Sequence, residues 1–104
     1  MTMPNNPEAL LRDKINRETS RMAWTELLRH FAAGTVIVVS DDLDLVDVAV
    51  HMSNDDHAAV AQWLSENRIG KVSDAQAQEW LEADLALWAV VVRPWILVQR
   101  EKPV

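Results

Sequence analysis

Apolar side chains in the first third of the chain recur at the spacing of an α-helix. They form two stripes that are out of phase with each other: Leu11, Ile15 and Met22, then Trp24, Leu27, Leu28 and Phe31. The change of phase predicts a break near Thr19-Ser20, where either hydroxyl side chain is able to cap a second helix. Asn6 and Pro7 are typical of a helix start, as N-cap and first helical residue, and Gly34 is typical of a helix end.

The next segment predicts two strands. Residues 36–39 form a β-branched run of the kind found in buried strands. Residues 46–53 alternate, with Val46, Val48, Val50 and Met52 on one side and Asp47, Ala49, His51 and Ser53 on the other. This alternation predicts a half-buried strand. Because only a short Ser-Asp-Asp turn starts the connection, we expect the two strands to pair antiparallel.

Two further helices are predicted before the C-terminal region. Their inward-facing residues are Val60, Trp63 and Leu64 in the first, and Ala77, Trp80 and Leu81 in the second. The first helix has several N-cap candidates in residues 53–56 and should end between Asn67 and Gly70. The second should open with a capping box, because Ser73 and Gln76 stand three residues apart.

The last apolar run, residues 88–99, contains ten apolar residues out of twelve when proline is counted. It is too short, and too interrupted by Arg93-Pro94, to span a membrane. We expect one strand in which the pairing changes at Pro94, since proline cannot donate to a ladder. Val90 to Val92 should be central with both faces covered, and Trp95 to Val98 should pair with another subunit. The element order is therefore α(α)ββααβ, which predicts an α+β fold with a three-stranded sheet packed against three to four helices.

Length and composition favour one small domain over residues 1–104, with disorder in residues 1–7 and fraying in residues 101–104. The chain has no cysteine, which excludes disulfides and thiolate metal sites. Its N-terminus lacks the apolar stretch of a signal peptide. We therefore expect a cytoplasmic protein.

The charge of −6 is unevenly distributed. Residues 40–84 carry eleven acidic and two basic side chains, whereas residues 1–39 carry four acidic and five basic ones and residues 85–104 one and three. An acidic middle disfavours direct binding to nucleic acid or to anionic membranes, because both require a basic face.

No motif fixes a reaction. There is no Gly-x-Ser-x-Gly elbow and no glycine-rich phosphate loop, so we assign no catalytic residue and no cofactor. The acidic turn at residues 41–44 lacks the glycine and the spacing of a calcium loop. The candidate metal ligands are Asp47, His51, Asp55 and His57. In a helix, Asp47 and His51 would share a face, but the predicted strand would hold them about 13 Å apart.

Five tryptophans are many for this length. Trp24, Trp63 and Trp80 lie on helical apolar stripes, which favours a place in the core. The other two flank an interrupted strand, where tryptophan often anchors an interface. The candidate ligand or interface residues are therefore Trp88, Arg93, Pro94 and Trp95.

A combination of short motifs resembles a known family. The motifs are Glu18-Thr19, Trp24, Leu27, Phe31-Ala32 and Gly34; Leu43 to Ala49, Asp55-Asp56 and Trp63-Leu64; and Ala77, Trp80, Trp88 to Val92 and Pro94 to Gln99. Over roughly residues 10–100 the chain resembles the bacterial family called domain of unknown function 2288. The resemblance implies a bacterial, cytoplasmic, stand-alone domain, and the family has no activity to transfer.

Two functions remain open. The excess of apolar strand favours a non-catalytic interaction module that forms a homodimer. The alternative is a protein that binds a small ligand in a tryptophan-lined pocket, with His51 or Arg93 as polar anchor, or a metal at the Asp/His cluster of residues 47–57. A metal-dependent hydrolase at the same Asp/His cluster is a further hypothesis, disfavoured by the distance between Asp47 and His51 in the predicted strand, so the sequence leans against an enzyme.

Overall fold

The computed structural model describes residues 7–100. Apart from Pro7, the ends predicted to be disordered or frayed, and the proposed cap Asn6, lie outside these residues. The elements are α1 (Pro7–Glu18), β1 (Ser20–Ala23), α2 (Trp24–Ala32), β2 (Val36–Val39), α3 (Leu45–Ser53), α4 (His57–Ser65), β3 (Ile69–Lys71), α5 (Asp74–Glu82), β4 (Ala86–Val92) and β5 (Trp95–Gln99).

The described strands form one five-stranded mixed sheet in the order β1-β4-β5-β2-β3. Strands β2 and β5 are parallel, and the other three pairings are antiparallel. The α+β class is confirmed, but the predicted three-stranded sheet and three to four helices are wrong, because residues 7–100 form five strands and five helices. Strands β1 and β3, of four and three residues, were missed, because segments this short carry too little pattern to be recognised without their neighbours.

The largest correction concerns Leu45–Ser53, which forms helix α3 and not a strand. Its valines alternate, but the apolar residues are also dense enough to bury most of a helix surface, and Leu45, Val48 and Ala49 are each fully buried. The N-cap supplies the local signal, since Asp44 Oδ1 accepts the Val46 N–H at 3.0 Å. Tertiary burial therefore overrides the strand preference of valine.

The C-terminal run is also two strands and not one. Strands β4 and β5 form an antiparallel hairpin around Arg93-Pro94, whose peptide bond is cis. The predicted change of pairing at Pro94 is confirmed. However, β5 pairs with β4 on one side and with β2 on the other, so Trp95 to Val98 cannot pair with a strand of another subunit.

The predicted break at Thr19-Ser20 is confirmed, because α1 ends at Glu18. The chain then enters β1, and α2 starts after Ala23, whose side chain makes no capping hydrogen bond. Neither Thr19 nor Ser20 caps that helix. The predicted stop is also confirmed: α2 ends at Ala32 and Gly34 follows with a φ of 76°, a left-handed conformation that glycine adopts readily.

Helices cover both faces of the sheet. On one face, α1, α3 and α4 pack over residues such as Val39, Val90 and Leu97. On the other face, α2 and α5 pack over residues such as Val36, Ile96 and Val98. The sheet therefore separates two apolar clusters, and its central strand β5 contributes side chains to both.

Two of the three predicted core tryptophans are fully in the core. Trp24 and Trp80 pack edge to face with ring centroids 5.0 Å apart, and the Trp24 indole N–H donates to the carbonyl of Ala77 at 3.0 Å. Trp63 is only partly buried and packs at the margin of the other cluster. The predicted capping box of Ser73 and Gln76 is confirmed.

Gln99 is the one buried polar side chain of the described residues. Its Nε2 donates to the carbonyls of Ser40 and Leu43, at 2.8 and 2.6 Å. The last residue of β5 thereby fixes the loop that leads into α3. Buried carbonyls that lose their donor retain their desolvation cost.

We expect Gln99→Leu to lower the free energy of unfolding by about 1 kcal/mol or more, because the Leu43 carbonyl loses its donor. The Ser40 carbonyl keeps a second donor, the Leu43 N–H at 3.1 Å. Urea denaturation measures the change. The control is Gln78→Leu, on the exposed face of α5, where Gln78 bonds only Glu82; it should stay within about 0.5 kcal/mol of the parent protein. Equal losses in the two variants would contradict this role of Gln99.

Candidate functional site

A cavity of about 230 Å³, which we call the hairpin cleft, lies between the α3–α4 corner and the β4–β5 turn. Its polar residues are Asp55, Asp56, His57 and Arg93, and its other lining residues are Met52, Val60, Val92, Pro94 and Trp95. The cleft brings together candidates from two separate predictions, the strand interruption at residues 93–95 and the Asp/His cluster at residues 55–57. Trp88, Asp47 and His51 do not line it.

The corner between α3 and α4 positions the acidic side of the cleft. Asp55 has a φ of 54°, a left-handed conformation that aspartate tolerates better than most residues. Its N–H donates to the Met52 carbonyl at 3.1 Å. Asp56 then caps α4, because its Oδ1 accepts the Ala59 N–H at 3.2 Å. The tight corner therefore places Asp55, Asp56 and His57 along the cleft.

The polar residues of the cleft differ in whether their side chains already form hydrogen bonds. Asp56 is held by two hydrogen bonds. Within residues 7–100, by contrast, the side chains of Asp55, His57 and Arg93 have neither a hydrogen bond nor an ion pair. All three are exposed. Asp55 and Arg93, of opposite charge, therefore border one cavity without forming an ion pair within residues 7–100.

A polar network supports the corner from the α3 side. Asp56 Oδ2 accepts a hydrogen bond from His51 Nδ1 at 2.8 Å, which places the ring hydrogen on that nitrogen. His51 Nε2 lies 3.8 Å from Asp47 Oδ1, which accepts from Arg12 at 2.8 Å. The Trp63 ring meets His51 edge-on, with centroids 5.4 Å apart. The hydrogen bond from His51, assisted by the Ala59 N–H, lowers the pKa of Asp56.

The distance argument against a shared site for Asp47 and His51 was wrong, since the two lie on one face of α3 and not 13 Å apart along a strand. His51 bonds Asp56, which belongs to the predicted Asp/His cluster of residues 47–57, and Asp47 pairs with Arg12. Asp55 and His57 line the hairpin cleft instead. Among residues 7–100, no three His, Asp or Glu side chains converge as metal ligands would. The metal hypothesis stays a prediction.

Trp88 takes a structural place apart from the cleft. It lies on β4, partly buried against the cluster under α1 and α3. The Arg21 guanidinium, on the neighbouring strand β1, lies 5.5 Å from its ring centroid, within the range of a cation–π contact.

A second cavity, of about 260 Å³, opens on the opposite face of the sheet, and we call it the Val91 groove. Its apolar residues are Met22, Ala89, Val90, Val91, Pro94 and Ile96, and its polar ones are Glu18, Ser20, His30 and Arg93. Val91 is 55% exposed, which corrects the prediction that both faces of this strand segment are covered. The reason is that β1 begins at Ser20, opposite Ala89, so that no β1 residue flanks Val91.

Comparison with known proteins identifies the family but no activity. Residues 10–100 match the family described as Protein of unknown function (DUF2288), so the chain belongs to this family and the resemblance in its motifs is confirmed. No curated protein matches it.

The chain is also similar to the NMR solution structure of PA1075 from Pseudomonas aeruginosa. The two are 38% identical, with a TM-score of 0.78 over 99% of this chain and 95% of the other. Within residues 7–100, no helix is long and apolar enough to cross a membrane.

We expect His51→Ala to raise the pKa of Asp56 toward its ordinary value of 3.8, because the largest cause of the lowered value is removed. NMR titration of the side-chain carboxyl carbons measures the change. Asp42 is the internal control: its pKa is lowered mainly by the Ser40 hydroxyl, with Arg68 also contributing, and it should not move.

The same bond predicts a pH dependence of stability. A lowered folded-state pKa stabilises the protein above pH 3.8, and this contribution is lost as the pH falls through the lowered value. The difference in unfolding free energy between the parent and His51→Ala should therefore shrink in acid. A difference that stays constant from neutral pH down to acid would contradict the assignment.

Proposed function

We propose that this protein is a non-catalytic interaction module that forms a homodimer through the Val91 groove. The observation that carries the proposal is the exposure of Val91, a β-branched side chain of a sheet whose other central residues are covered by helices. Strands Ala86–Val92 and Trp95–Gln99 supply most of the apolar floor. A second copy of the chain packed against the groove would bury the exposed Val91 side chain.

The make-up of the groove supports a protein partner. The groove is lined mainly by apolar side chains. Its charged or titratable residues are Glu18, His30 and Arg93. An apolar centre with polar groups around it is the usual arrangement of protein interfaces. In a two-fold dimer the same patch serves both subunits, so that each Val91 would be buried by its partner.

Charge supports the same surface. The chain carries −6 overall, and two such molecules repel each other over most relative orientations. At the groove, the carboxylate of Glu18 and the guanidinium of Arg93 balance. Two acidic copies therefore meet there with less repulsion than at the acidic segment of residues 40–84.

Strand β1 extends the proposed interface. Among residues 7–100 it is an edge strand of the sheet and pairs with β4 alone. An unpaired edge next to an apolar groove favours association. This assignment replaces the pairing through Trp95 to Val98, which the central position of β5 rules out. A cytoplasmic location and the absence of nucleic-acid partners belong to the proposal, supported by the acidic composition.

We expect light scattering after size exclusion to give twice the chain mass of 11.8 kDa at tens of micromolar. Val91→Asp should give the mass of a monomer, because two carboxylates would be buried against each other at the two-fold axis. The matched control is Leu64→Asp, which places the same charge at a leucine of α4 that is 49% exposed; it should remain dimeric.

Two results would overturn this function. One is a monomeric parent protein at tens of micromolar. The other is equal dissociation by Val91→Asp and Leu64→Asp, which would show a general effect of added charge and no role for the groove. Circular dichroism of both variants establishes that each remains folded.

A further inference from the structure

We propose that the hairpin cleft is a binding site for a small zwitterion, a free α-amino acid with an apolar side chain. In this assignment Asp55 binds the ammonium group and Arg93 binds the carboxylate. The hydrophobic side chain packs against Trp95 and Val60. Arg93 lines both this cleft and the Val91 groove, whereas Asp55, Val60 and Trp95 line only the cleft, so variants of Asp55 test this site apart from the homodimer.

The cleft contains an acidic and a basic side chain that are not paired with each other. Asp55 and Arg93 line one cavity, and within residues 7–100 neither side chain has an ion pair or a hydrogen bond. A ligand with one sign of charge would satisfy one of them and be repelled by the other. A ligand that carries both signs satisfies the two groups at once.

The neighbouring groups refine this choice. The Asp56 carboxylate is already occupied by His51 and the Ala59 N–H, so Asp55 is the acidic group left for a cation. His57, the first residue of α4, lines the same cavity with an exposed imidazole that makes no hydrogen bond within residues 7–100. It offers a second polar contact to the ligand carboxylate beside Arg93.

The size of the cleft also favours a small ligand. The cavity measures about 230 Å³, below the roughly 300–1,000 Å³ typical of pockets for drug-sized ligands. Such a volume suits a molecule with few heavy atoms. The apolar side of the cleft then selects among zwitterions, because Met52, Val60 and Trp95 would be left facing a polar side chain without compensation.

The backbone around Asp55 is held in place before a ligand arrives. Asp55 lies in a corner fixed by its own N–H bond to the Met52 carbonyl and by the Asp56 N–H bond to the His51 carbonyl, at 3.1 and 2.9 Å. The His51–Asp56 side-chain bond ties the same corner to α3. A preorganised anchor loses little conformational entropy on binding. His51 is therefore a positioning residue, outside the cleft itself.

The test follows the amide and indole NMR signals of the full chain during titration with L-leucine, L-methionine and L-phenylalanine. We expect at least one of them to give saturable shifts at residues 55–57 and at the Trp95 indole. N-acetyl-L-leucine lacks the ammonium group, and L-leucinamide lacks the carboxylate. Each should bind at least about tenfold more weakly than L-leucine, which corresponds to one lost charged contact.

Variants separate recognition from folding. Asp55→Asn should weaken binding of the free amino acid at least about tenfold, and asparagine tolerates the same left-handed backbone. The matched control is Asp84→Asn, an exposed aspartate with a φ of 49° at the end of α5, which should leave binding unchanged. Arg93→Gln should weaken binding as Asp55→Asn does, with Arg29→Gln on α2 as its control.

Three outcomes would overturn the inference. The first is that no apolar amino acid shifts the cleft signals at millimolar concentration. The second is equal binding of L-leucine and N-acetyl-L-leucine, which would make the cleft a site for anions. The third is equal weakening by Asp55→Asn and Asp84→Asn. Val91→Asp should still bind the amino acid, so failure of the dimer proposal and failure of this inference are separate results.

Discussion

The parallel contact between β2 and β5 is the constraint on which the rest of the structure depends. It places Leu97 and Val98 in the middle of the sheet, where both are fully buried on opposite faces. A strand buried on both faces requires helices above and below it, and the five helices divide three and two to provide them. The hairpin that delivers β5 to this place also carries Arg93 and Pro94 to the α3–α4 corner, where the cleft forms.

Local signals made part of this fold predictable. The capping box of Ser73 and Gln76, the β-branched strand at residues 36–39 and the stop at Gly34 each depend on residues close in sequence. The prediction of a strand at α3 was wrong because its valines alternate as in a strand and are also buried as in a helix. Only the tertiary environment decides between the two structures. Strands β1 and β3 are stabilised by pairing with the longer strands beside them. A local sequence pattern does not predict such pairing.

The candidate site was predictable by residue type and not by arrangement. Arg93, Pro94 and Trp95 stood out as an interruption of an apolar run, and Asp55 and His57 stood out as a polar cluster. That these groups share one cavity follows from the corner after α3, which the strand interpretation concealed. The bond between His51 and Asp56 spans that same corner. The exposure of Val91 depends on where β1 begins, 71 positions earlier in the chain.

The order of the strands has a consequence for how the protein forms during translation. Strand β5 is the last described strand to leave the ribosome, yet it joins β2 and β3 to β4 and β1. Until residues 95–99 emerge, the sheet consists of two separate halves with apolar edges exposed. Domains whose central pairing is this distant in sequence close late and slowly. The apolar edges of β2 and β4 therefore stay uncovered until synthesis has passed the hairpin, because β5 is the strand that pairs with both.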